Sequence, residues 1–158
     1  MNRYLVLISE INCAIKEFEG YLNPLVKIPE LDKNYLQDVT CCWNLTETIW
    51  SETKFPNARN RGVYFLLGRN KNNEYDLAVY IGKASFNSSI ASRLNIHLNG
   101  GDKENKIYPY GDYLLEAVVT IALDKNEDLA FLAPALEEFI IGELQTKNIK
   151  LLNTIGKN

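Results

Sequence analysis

No apolar run in this chain approaches the ~18 residues needed to cross a bilayer, so a membrane-spanning protein is not expected. Cysteine is scarce: only Cys13, Cys41 and Cys42 occur. The count is odd, and the one close pair is adjacent rather than spaced for a zinc knuckle or a redox motif. These residues read as buried or idle thiols in a reducing cytoplasm, and a cytoplasmic location follows as the expectation. The apolar N-terminal patch is followed by Glu10 and the charged stretch from Lys16 to Glu19, with no small-residue cleavage pattern, which argues against a signal peptide. There is no internal repeat and no low-complexity tract. Histidine occurs once, at position 97.

What is present suits one compact domain, or one domain with an appended helical element: 158 residues of which 46% are hydrophobic. Two short apolar runs read as strands. In GVYFLLGR (62–69), Val63, Phe65 and Leu67 share a face; in LAVYIG (77–82), Leu77, Val79 and Ile81 do the same. Period-2 alternation therefore puts Tyr64 and Tyr80 on the faces opposite those aliphatic rows. The polar segment Asn70 to Glu74 between the runs is of the kind that reverses a chain, so a hairpin carrying two tyrosines is expected.

Helical spacing appears in four further places. Residues 3–19 show apolar positions at i, i+3, i+4 and i+7 and end near Gly20, and a second helix fits residues 44–53. After the capping residues Asn87, Ser88 and Ser89, the stretch IASRLNIHL places Ile90, Ala91, Leu94 and Leu98 on one face. Arg93 and His97, four apart, lie side by side on its flank. A fourth helix starts at Pro134 and continues to about Gln145. On it, Glu137 shares a face with Ile140, Ile141 and Leu144, whereas Glu138 shares one with Gly142 and Gln145. A carboxylate on a buried stripe costs several kcal/mol unless it is protonated, paired or bound to a cation. An ion pair with Arg93 or Lys83 and a bound cation are both open answers. Between these helices a strand is expected at 114–123, preceded by an aromatic cluster of Tyr108, Tyr110 and Tyr113 that either packs or stacks on bases.

Gly62-Val63-Tyr64 and Tyr80-Ile81-Gly82, followed in order by Arg93, His97, Glu137 and Asn153, resemble the GIY-YIG nuclease signature. The Arg-x-x-x-His pattern is closest to the restriction-enzyme-like branch of that family. The resemblance spans roughly residues 61–155, about 60% of the chain. It implies an α+β fold with a three-stranded antiparallel sheet flanked by helices, occupying residues 61–158 behind a helical N-terminal extension at 1–60. It also implies a divalent-metal-dependent endonuclease that hydrolyses DNA. Tyr64 would take a proton from water, directly or by relay, and Lys83 would depress a tyrosine pKa or grip phosphate. Arg93 would bind the scissile phosphate, while Tyr80 and His97 position the nucleophile or substrate. Glu137 would hold Mg²⁺ or Mn²⁺, and Asn153 matches the late asparagine of the pattern. The alternative is a nucleic-acid-binding module on the same scaffold that does not cut.

Charge is distributed in keeping with a phosphate-binding middle. Residues 54–106 carry nine basic residues (Lys54, Arg59, Arg61, Arg69, Lys71, Lys83, Arg93, Lys103, Lys106) against four acids, although the whole chain has a net charge of −3. Both flanks are acidic. Nothing in the sequence names a DNA target, so specificity falls to residues 1–60, to loops such as 99–113, to a homodimer or to a protein partner.

Overall fold

The computed structural model describes residues 2–42, 56–98, 102 and 104–153. The helix read at 44–53 lies outside the described residues. In chain order the main elements are α1 (Leu5–Gly20), β1 (Gln37–Asp38), β2 (Gly62–Asn70), β3 (Leu77–Ala84), α2 (Ile90–His97), β4 (Tyr108–Tyr110), β5 (Tyr113–Ala122), α3 (Ala133–Thr146) and β6 (Lys150–Leu151). The fold is α+β, with three α-helices among the described residues and one mixed sheet.

The three long strands are mutually antiparallel, in the spatial order β5-β2-β3. Among the described residues the sheet has six strands where three were expected. β1 and β4 pair antiparallel with β5, and β6 pairs parallel with β3. These additions are two or three residues long and cover the edges of the central strands, which would otherwise present unpaired backbone groups.

Alternation along β2 and β3 sorts the sheet's two faces as the sequence predicts. Val63, Phe65, Leu67, Val79 and Ile81 join α1 and the buried face of α3 in one core. Tyr64, Leu66, Ala78 and Ala84 point the other way, into a second cluster built with Ile90, Ala91, Leu94 and Leu98 around α2. The apolar stripe of α1 (Leu7, Ile8, Ile11, Ala14, Ile15, Phe18) lies wholly inside the first core, and Leu5 is its exposed exception. The described part of residues 1–60 is thus built into the fold rather than appended to it: α1 covers a sheet face and β1 extends the sheet.

Local chemistry accounts for the element ends that matter to the site. Ser89 caps α2 by accepting a hydrogen bond from the Ser92 amide at 3.1 Å. α3 carries Pro134 in its first turn, where a missing amide proton costs nothing. Gly62 opens β2 with no room for a side chain, because a Cβ there would overlap the Ile121 carbonyl of β5.

Candidate active site

Of the seven residues singled out in the sequence, Tyr64, Tyr80, Arg93 and His97 gather on the α2 side of the sheet, while Lys83 pairs with Glu137 of α3. Strand register places Tyr64 opposite Gly82. A Cβ on Gly82 would run into the Tyr64 ring, coming within 2.6 Å of Cε2. The glycine of Tyr80-Ile81-Gly82 therefore provides the space that the tyrosine of Gly62-Val63-Tyr64 occupies. Tyr80 is stacked beside Tyr64, with ring centroids 6.5 Å apart and planes at 24°. α2 brings Arg93 to the same face, within hydrogen-bonding reach of the Tyr64 phenol.

Burial decides the state of Tyr64. The residue is only 2% exposed, and desolvation pushes its phenol well above the ordinary tyrosine value. The neighbouring Tyr80 and Glu137 push it the same way, while Arg93 opposes them by charge and hydrogen bond. Tyr80 is raised for the same leading reason, burial, with Tyr110 and Glu137 adding to it and Arg93 opposing. Both phenols are thus held protonated at neutral pH, with Arg93 opposing the upward shift.

Lys83 is engaged elsewhere. Alternation turns it onto the face of Val79 and Ile81, and its Nζ lies 2.9 Å from Glu137 Oε2. Glu137 is half-buried with its side chain 18% exposed, and Glu138 is fully on the solvent side. Of the two open answers to the cost of burying Glu137, the ion pair with Lys83 is formed. Lys83 is 40% exposed, so water screens the pair and its net stabilisation is small. Among the described residues no group of three His, Cys, Asp or Glu side chains could hold a metal together. A cation here would have Glu137 as its protein ligand, with water and substrate oxygens completing the shell. That donor set suits Mg²⁺, which commonly keeps several waters and uses one or two carboxylates plus phosphate.

His97 stands behind Tyr80, with ring centroids 4.3 Å apart, and also faces Tyr110 and Tyr108 at 5.9 and 6.4 Å. Its Nε2 is buried without a hydrogen-bond partner. Burial, and secondarily the charge of Arg93, lower its pKa below the ordinary 6.5, so the imidazole is neutral at pH 7. The surrounding tyrosines were visible in the sequence as a cluster, but nothing there tied them to His97.

Asn153 serves the backbone. Its Nδ2 donates to the Ile81 carbonyl at 2.6 Å, and its Oδ1 accepts from the Ile81 amide at 2.9 Å. The side chain thereby continues the pairing of β3 beyond β6, where Leu152 donates to the Val79 carbonyl. Both of its polar groups are occupied by this clamp on the strand between the two tyrosines' partners, so it shapes the site without facing it.

The positive middle segment is partly neutralised in the fold. Arg61 pairs with Asp124 and Asp128, Arg69 with Glu116, Lys83 with Glu137, and Lys106 with Asp38. Each of these acids comes from the acidic flanks. Arg93 remains exposed. No family model, curated protein or solved structure matches this chain.

Proposed function

We propose that the chain is a divalent-metal-dependent endonuclease of the GIY-YIG type that hydrolyses DNA phosphodiester bonds. The observation that carries the reading is the convergence of Tyr64, Tyr80, Arg93 and Glu137 from four separate elements. Arg93 and Glu137 both act on the two phenols, one by positive and the other by negative charge. Phosphodiester hydrolysis calls for such a set: a group to orient water, a cation for the phosphate, and a carboxylate for a metal. The three antiparallel strands with helices on both faces agree with the resemblance of the two tripeptides.

In this reading Arg93 binds the scissile phosphate from the exposed side of α2. The Tyr64 hydroxyl orients the attacking water, and Tyr80 holds the other side of that water or of the sugar. Glu137 would hold Mg²⁺ or Mn²⁺, whose charge, when bound, offsets the negative charge that develops on phosphorus. Lys83, released from Glu137, would pass to a phosphate oxygen. Lowering an ordinary phenol to a working pH of 7 to 8 takes a shift of about 2–3 pH units, or roughly 3–4 kcal/mol. Burial makes the demand on Tyr64 larger, so its action as a base requires a bound cation beside it.

A second reading has its own observation. Lys83 occupies the Glu137 carboxylate and the Tyr64 phenol is neutral, the state of a scaffold that binds nucleic acid without cutting it. Incubation of a mixed-sequence duplex with the protein in Mg²⁺, in Mn²⁺ and in EDTA separates the two: metal-dependent fragments mean a nuclease, and retained DNA that stays intact with every metal means a binding module.

A further inference from the structure

Around the residues assigned to phosphodiester hydrolysis, an aromatic surface packs against the second core without being closed to solvent. Tyr80 of β3, His97 in the last turn of α2, and Tyr108 and Tyr110 of β4 form a continuous wall of rings. His97 is within ring contact of all three tyrosines, and Tyr80 and Tyr110 are 5.9 Å apart. All four residues are half-buried, whereas Leu66, Ala78, Leu94 and Leu115 in the same layer are closed to solvent. A hydrophobic core hides its rings; this wall leaves theirs partly open at the rim of the site. The His97 Nε2 carries no hydrogen bond, so within the wall the imidazole serves as a flat ring.

One turn before His97 on α2 stands the exposed Arg93. Side chains four apart on a helix start about 6 Å from each other. A nucleotide has a matching arrangement, an anionic phosphate joined through a sugar to a flat base. We propose that the wall is a base-stacking subsite for the nucleotide whose phosphate Arg93 holds, so that the preferred substrate is DNA with that base outside the duplex stack. Single strands, flaps and distorted duplexes meet that condition; regular B-form DNA does not. Stacking on aromatic rings tolerates any base. The proposal rests on the nuclease reading for the role of Arg93.

The test uses the full chain in EDTA, where cleavage is not required, with oligonucleotides carrying one 2-aminopurine at successive positions, both single-stranded and duplex. The expected result is tighter binding of the single strand and a change in 2-aminopurine emission confined to one or two positions. Tyr110→Leu should weaken single-strand binding roughly ten-fold and remove the emission change, while Tyr110→Phe, which keeps the ring, retains both. Tyr108→Leu provides the same comparison should Tyr110→Leu fail to fold. DNA bound with unchanged emission at every position would overturn the subsite and leave the nuclease reading standing. So would leucine variants that bind like the wild type, or a wall covered by a second copy of the chain, seen as a dimer with no emission change. Absence of any DNA binding would overturn both.

Discussion

The backbone of Gly82 lies directly against the ring of Tyr64, at the one place in the hairpin where the two tripeptides face each other. Any side chain at position 82 displaces a buried phenol from its contact with Tyr80 and Arg93. Gly82→Ala is therefore expected to cost roughly 1–3 kcal/mol through overpacking. Urea denaturation gives the stability, and the Tyr64 ring resonances should move with it; unchanged values for both would contradict the packing described.

In the proposed reading, Lys83 and a cation would compete for the Glu137 carboxylate. In Lys83→Met the carboxylate is freed, and Mn²⁺ should bind the free protein more tightly than in wild type. Glu137→Gln should abolish that binding. Both are read by isothermal titration without DNA. The stability cost of Lys83→Met stays below about 1 kcal/mol, because the pair is half-exposed and screened. Equal Mn²⁺ affinity in all three proteins would rule out Glu137 as the ligand.

Asn153 is expected to behave as a structural residue. Asn153→Ala leaves the Ile81 amide and carbonyl without their partners, a loss of about 1–3 kcal/mol. The Ile81 amide should exchange its hydrogen faster, while activity per folded molecule is kept. A variant of native stability that has lost its activity would place Asn153 in the chemistry instead.

His97 is the only histidine, so its titration can be followed as a single imidazole signal by NMR. Its folded pKa lies below 6.5, from burial first and Arg93 second. The unfolded chain then binds the proton more readily than the folded one. The contribution of His97 to stability is full above pH 6.5 and diminishes as pH falls from 6.5 towards the lower folded value. His97→Phe should flatten that part of the stability profile. An imidazole that titrates above 6.5 would contradict the buried, unpartnered placement.

The long periodic elements were legible because their burial follows a fixed repeat. Alternation alone put Tyr64 and Tyr80 opposite Val63 and Val79, and helical spacing alone separated half-buried Glu137 from exposed Glu138. β1, β4 and β6 were not legible, since two or three residues hold no repeat, and the pairing of β1 and β6 depends on partners such as Val118 and Val79 far along the chain. The clamp of Asn153 on Ile81 is invisible for the same reason. The charge pattern misled in a physical way: the basic middle looked unopposed in one dimension, but folding brings Asp124, Glu116 and Glu137 from the acidic flank onto Arg61, Arg69 and Lys83.

The central claim is that Tyr64, Arg93 and Glu137 hydrolyse DNA with a divalent cation. Its most direct test is cleavage of supercoiled plasmid in Mg²⁺, Mn²⁺ or EDTA by wild type beside Tyr64→Phe and Glu137→Ala. The account predicts metal-dependent nicking or linearisation by wild type and at least a roughly 100-fold loss in each variant, with Tyr64→Phe folded as stably as wild type to within about 1 kcal/mol. DNA left intact under every metal, the plasmid and a single-stranded oligonucleotide alike, or cleavage that persists undiminished in both variants, would contradict it.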